Sequence, residues 1–324
     1  AVGADALLLT TTGASNTAFG TAALDANTTG ASNVAVGNNA LGAATTASGN
    51  TAVGVNTGDA ITTGYHNVAL GGFALSTNIT GAQNVAVGYE ALFNNTANNT
   101  TAVGHDSLKG NTSGTGNSAF GYRALTANTT AANNTAVGSD SLDANTTGAN
   151  NTAVGSNALG ANTTAANNVA VGNGALDANT TGTQNIGIGL NALGVNTTAS
   201  YNVAIGTNAL DANTTGASNT AVGENTLGSN TTAANNVAVG HVALDANTTG
   251  TSNTAVGKSA LTASTTASNV TGIGYLALAA NTTGAQNVAL GRSAGSAITT
   301  GSNNICIGYN SQLAAVGDNN EIVI

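Results

Sequence analysis

The apolar and polar positions of this chain recur every 17 residues, and a clear copy of the pattern runs Asn-Thr-Ala-Val-Gly-Ser-Asn-Ala-Leu-Gly-Ala-Asn-Thr-Thr-Ala-Ala-Asn over residues 151–167. With the glycine of Ala-Val-Gly as position 0, nineteen markers fall from Gly3 to Gly308, with a single 16-residue step between Gly88 and Gly104. A short fixed period of this kind predicts a solenoid, each repeat being one supersecondary unit stacked on the next.

The columns of this repeat predict its local structure. Position −1 is apolar in all nineteen coils, as Val, Ile, Leu or Phe, while −2 is Ala in sixteen, with Gly187, Gly272 and Cys306 as exceptions. Successive side chains of a strand point to opposite faces, so a strand over −4 to −1 is expected. On this reading the bulky column faces the core, and the small column lets a neighbouring chain approach closely from outside. Position +4 is Leu in sixteen coils and is lost at Gly58, Gly295 and Gln312. In two of those coils Ile61 and Ile298 stand at +7, where most coils carry Asn. The +7 side chain therefore lies close enough to the core to refill a void that would cost roughly 2–5 kcal/mol. Asn holds −4 in sixteen coils and can stack along the solenoid. Glycine at 0 supplies a turn that a β-carbon would penalise, and a second strand is expected at Asn-Thr-Thr. From Asp143 onward Asp and Gly alternate at +5, so the duplication unit is 34 residues.

Composition supports order without helix. Apolar residues make up 41% of the 324 positions, charged residues 5% and aromatic residues 3%, with no Pro, Met or Trp. A disordered chain would carry more charge and proline, and Asn, Thr and Gly are poor helix formers. The fold class expected is all-β: a parallel β-solenoid (β-roll) of about eighteen 17-residue coils, roughly 85 Å long at ~4.8 Å per coil. Residues 1–308 form the repeat shaft, and 309–324 a terminal coil and junction toward a further C-terminal region. Thirteen acids against Lys109, Arg123, Lys258 and Arg292 give a net charge of −9, which leaves no basic patch for nucleic acid. No apolar run approaches the roughly 18 residues that span a bilayer, so no membrane insertion is expected. Each coil buries little against an ordering cost near ~1.5 kcal/mol per residue, so chains are expected to associate with copies of themselves.

The run Asn-Val-Ala-Val-Gly at 33–37, 168–172 and 236–240, followed by x-x-Ala-Leu, resembles the YadA-like head repeats of trimeric autotransporter adhesins. The longer phrase Ala-Leu-x-Ala-Asn-Thr-Thr-Gly-x-x-Asn-Thr-Ala-Val-Gly at 209–223 is similar to phage tail-fibre shafts and related bacterial surface fibres. The resemblance implies a left-handed, homotrimeric β-roll at a cell surface or on a virion. It also implies that the ending from Asn303 to Ile324 leads into an intramolecular chaperone.

Candidate chemistry is sparse. His66, His105 and His241 sit in distant coils, so no acid, base and nucleophile converge; no catalytic, cofactor or metal site is expected. Asp at +5 recurs every second coil, ~10 Å apart, too sparse for a calcium shell of about six to eight oxygens. It reads as a solvated acidic stripe. Cys306 falls in the Ala column and reads as a small packing residue. Twelve coils carry an Asn-x-Ser/Thr sequon at +7, among them Asn128, Asn145, Asn162 and Asn179. These are candidate N-glycosylation positions, although the nearby Ile substitutions place them toward the core, and the neighbouring Thr146 at +8 is a candidate for O-linked sugar. The most variable column is +1, which includes Tyr89, His105, Tyr122, His241, Tyr275 and Tyr309. Variation in a rigid repeat marks an exposed site, a candidate contact for a cell-surface receptor, a glycan or a neighbouring fibre. The function expected is non-enzymatic: an extracellular structural shaft that mediates attachment and can join end to end into filaments. The alternative is a repeat-surface binder, either a glycan-bearing coat or an ice-binding solenoid.

Overall fold

The structure, a computed structural model, describes residues 1–324. The chain is an all-β parallel solenoid without helices, and it divides into two compact units, 1–164 and 165–324. Both units follow one plan. Each full coil contributes a three-residue strand at −3 to −1, such as Thr51–Val53 in the first unit and Val203–Ile205 in the second. Neighbouring strands pair in parallel and in register, Val34 with Thr51 and Val36 with Val53, Val203 with Thr220 and Ile205 with Val222. The columns of the sequence are therefore files in space. Residues 309–324 stay on the second unit's stack, for Ile322 and Val323 pair with Ile305 and Cys306, and the Asn304 amide donates to the Asp318 carbonyl at 2.7 Å.

The interior is not where the apolar column suggested. Ala at −2 is buried, as at Ala35, Ala136, Ala204 and Ala289, whereas −1 points outward: Phe19 is 56% exposed, Leu290 48% and Ile205 38%. The expected orientation of the strand is thus reversed, and the small column is not a close-approach face for another chain. The reason is the narrowness of the coil. The buried Leu at +4 reaches across from the opposite wall, so a β-carbon built on Gly187 would already stand 3.3 Å from Leu176 Cγ, and one on Gly272 3.2 Å from Leu261 Cγ. Only a methyl, or nothing, fits opposite Leu, and larger side chains go outside. Cys306 obeys the same rule. Where Gly295 replaces Leu, the thiol comes within 3.5 Å of the missing β-carbon and takes up part of the space. Ile61 and Ile298 refill the two Leu-less coils as expected, each 1% exposed, with their Cδ1 atoms 3.0 and 3.1 Å from where Gly58 and Gly295 would carry a β-carbon.

The connection between strand and Leu is tight because alternate residues adopt left-handed backbone. Every Leu at +4 from Leu7 to Leu278 has a positive φ, for example 54° at Leu125 and 52° at Leu210, and the residue two before it does too. Such a conformation costs a non-glycine residue about 1–2 kcal/mol. Full burial of the leucine side chain, about 1.5–3 kcal/mol, offsets it. Position 0 allows no such compromise. At Gly121 φ is 141° and a β-carbon would lie 2.4 Å from the Gly138 carbonyl oxygen of the next coil.

Two files of buried asparagine complete the core. The Asn33 backbone N–H donates to Asn16 Oδ1 at 2.9 Å, and the Asn33 amide donates to the Ala47 carbonyl at 2.7 Å, a pattern that repeats up the −4 file. At +7 the Asn128 amide donates to Asn111 Oδ1 at 2.7 Å and to the Ala131 carbonyl at 3.1 Å, and the Asn145 amide donates to Asn128 Oδ1 at 3.1 Å. Buried polar groups satisfied in this way fix register without an apolar core. Two breaks in the file each leave an orphan: Asn27 Oδ1 faces a coil with Ala44, and Asn247 Oδ1 one with Ser264, and both lack a partner. The second strand expected at Asn-Thr-Thr is not a strand. Instead the Thr45 carbonyl accepts three bonds from the preceding coil, from the Thr28 and Thr29 N–H groups at 2.9 and 3.2 Å and the Thr28 hydroxyl at 3.0 Å.

Candidate functional site

Two surfaces stand out on this scaffold. The first is the outer face of the strands. Its files at −1 and −3 hold only Val, Ile, Leu, Phe, Thr and Ser, and no charge. In the first unit Phe120, Val137 and Val154 are 41%, 38% and 37% exposed in successive coils. In the second unit Ile188, Ile205, Ile273 and Leu290 are exposed to similar degrees.

The second surface is the +1 column, which the structure resolves into separate clusters. In the first unit Tyr89, His105 and Tyr122 stand in three consecutive coils, with ring centroids 5.3 Å apart at 29° and then 5.8 Å apart at 42°. Phe73, at +2, extends the row edge-on at 5.9 Å from Tyr89. A β-carbon on Gly72, in the coil below, would meet the Tyr89 ring in ordinary contact at 3.6 Å. Charge gathers beside the rings from +2 and +5. Lys109 pairs with Glu90 and, at 3.2 Å, with Asp106; Arg123 pairs with Asp143 at 3.1 Å and Asp140 at 3.4 Å; His105 Nδ1 lies 3.1 Å from Asp106. Glu90's carboxylate raises the Tyr89 phenol above its ordinary pKa, and its hydrogen bond raises the Lys109 ammonium. The column was legible as variable and exposed. Phe73, Glu90 and Arg123 were missed because their +2 positions have positive φ, where only Asn, Asp or Gly signals a turn in sequence.

In the second unit Tyr275 and Tyr309 flank Arg292, whose guanidinium carbon lies 5.7 and 5.5 Å from their ring centroids. His241 stands apart from these rings, 4.0 Å from Glu224.

The sequon residues are corrected by the fold. Asn128, Asn145, Asn162 and Asn179 are fully buried, and their side-chain amides donate into the +7 file or to the carbonyl three residues on. A folded coil has no room for a sugar on them. Thr146 is half-buried and its hydroxyl donates to the Thr163 carbonyl at 3.0 Å; the exposed threonine of the pair is Thr147. The +5 aspartates do not form a freely solvated stripe. A β-carbon on Gly228 would stand 2.6 Å from Asp245 Oδ1 and one on Gly194 2.8 Å from Asp211 Oδ1, so each carboxylate occupies the space that the glycine of the preceding coil leaves open. That contact explains the alternation of Asp and Gly, and burial raises the carboxyl pKa of Asp143, Asp211 and Asp245. No three His, Cys, Asp or Glu residues gather to hold a metal ion, and no helix is long and apolar enough to cross a membrane.

Neither a family model nor a curated protein matches the chain. Its class therefore rests on the geometry: a repeat-built parallel β-solenoid with an uncharged outer strand face.

Proposed function

We propose that this chain is a non-enzymatic structural shaft that works as a left-handed, homotrimeric fibre outside the cell or on a virion and holds an attachment surface away from its base. The observation that carries the reading is the uncharged strand face with its half-exposed Val, Ile, Leu and Phe. Monomeric soluble proteins rarely expose contiguous apolar patches beyond a few hundred Å², and larger ones mark interfaces. A file repeated coil after coil offers the same surface to every copy, which suits closed symmetric association. The mechanism is mechanical: backbone bonds and Asn files hold the coils in register, and association covers the apolar face. The resemblance of Asn-Val-Ala-Val-Gly-x-x-Ala-Leu to adhesin head repeats supports three copies and the left hand. Light scattering on the native chain tests the reading. A particle of three chains is expected, and a monodisperse single chain overturns it.

A further inference from the structure

We infer that the ring row Tyr89, His105 and Tyr122 is a binding platform for an uncharged, β-1,4-linked oligosaccharide laid along the direction in which the coils stack. The proposal gives the attachment part of the shaft reading a ligand, but it is read out by sugar binding rather than by particle mass.

Four observations carry it. The chain has only six Tyr and four Phe in 324 residues, yet this row places Tyr89, His105 and Tyr122 on successive coils and ends in Phe73 at 5.9 Å. Tyr89 and His105 are stacked with centroids 5.3 Å apart, an offset rather than face-to-face separation, and His105 and Tyr122 are tilted at 5.8 Å. Tyr89 and Tyr122 are 46% and 50% exposed. A β-1,4-linked glycan is an extended ribbon whose successive residues present apolar C–H faces in line, so it can follow rings that stand on successive coils with their planes turned by 29° and 42°. Its hydroxyls are rich in both donors and acceptors, and the rim supplies partners for both: the Tyr89 and Tyr122 phenols, the carboxylates of Glu90 and Asp106, and the guanidinium of Arg123. Charge selects among glycans. Both rim cations are already paired, Lys109 with Glu90 and Asp106 and Arg123 with Asp140 and Asp143, which leaves acid in excess. An anionic sugar or a phosphate would meet repulsion with no free cation to receive it. The row is also a narrow ledge without the enclosed pocket that anchors a protein hot spot.

The test is calorimetric titration of the full chain with cellohexaose and with N-acetylchitohexaose, and with polygalacturonate as the anionic comparison. Tyr89→Ser and Tyr122→Ser together remove the platform without straining the coil, since Ser139 and Ser156 occupy the same column. The native chain is expected to bind at least one neutral probe saturably. The double variant should bind at least roughly tenfold more weakly, as loss of anchoring rings does at binding sites, with an unchanged melting profile and particle mass. Tyr275→Ser should bind like the native chain. The inference is overturned if neither neutral probe binds, if the double variant binds as well as the native chain, or if polygalacturonate binds in preference. A change in particle mass in the double variant also overturns it, because the row would then be a contact between copies.

Discussion

The exchange of Leu at +4 plus Asn at +7 for Gly plus Ile, seen naturally at Gly58/Ile61 and Gly295/Ile298, can be transplanted as a double-mutant cycle. Leu210 and Asn213 are both fully buried, and the Asn213 amide donates to Asn196 Oδ1 and the Gly216 carbonyl, each at 2.9 Å. Leu210→Gly opens a void worth roughly 2–5 kcal/mol and relieves about 1–2 kcal/mol of left-handed strain. The added freedom of glycine in the unfolded chain costs about 0.5–1 kcal/mol. The net loss is roughly 2–4 kcal/mol. Asn213→Ile alone crowds Leu210, at about 1–3 kcal/mol, and orphans Asn196 Oδ1 and one N–H of the Asn230 amide, at about 1–3 kcal/mol each. In the double variant the void and the crowding cancel, and the two orphaned polar groups remain. The cycle should therefore show a favourable coupling of at least about 2 kcal/mol. Because repeat arrays need not unfold in one step, the assay is deuterium exchange of the amides in this coil, where 2 kcal/mol is roughly a thirtyfold change in protection. Additive losses, within about 0.5 kcal/mol, would refute the claim that +4 and +7 share one interior space.

Two further outcomes follow from the same geometry. Burial raises the Asp211 carboxyl pKa in the folded state, so its contribution to stability is greatest below the unfolded value and falls as pH rises through the folded one. Asp211→Asn should then raise the melting temperature at neutral pH but not at a pH below the carboxylate range; equal shifts at both would contradict the assignment. At Gly240, φ is 131° and a β-carbon would lie 2.6 Å from backbone atoms of Gly257, whereas at Gly72 the nearest atoms are 3.4 Å away and the backbone is unstrained. Gly240→Ala should lose at least roughly 3 kcal/mol locally and Gly72→Ala almost nothing, as read by exchange protection of each coil.

Much of the fold was written in the columns. The period gave the solenoid, and the missing leucines beside Ile61 and Ile298 placed +7 against the core. What the columns could not give was the sense of the strand, because −1 and −2 are both apolar and alternation alone does not say which is inside. The answer depended on Leu176 and Leu261 reaching across to Gly187 and Gly272, a contact between walls that no single column contains. The sequons misled for a related reason, since Asn-Thr-Thr is an acceptor motif on a surface loop and a buried amide ladder in a stacked coil. The ring row was half legible: Tyr89, His105 and Tyr122 stood out as variable, but their charged neighbours came from the left-handed positions one residue on and from +5.

The central claim is that the apolar −1 file lies outside the coil and is covered by other copies. Ile188 and Ile205 are neighbours on that face, 36% and 38% exposed, so Ile188→Glu with Ile205→Lys places opposite charges there without repulsion. The measurement is light scattering of this variant beside the native chain, with circular dichroism to report the fold. A folded single chain from the variant and three chains from the native protein are the predicted result. An unfolded variant would return the file to the core, and a folded variant of native mass would remove the face from the assembly.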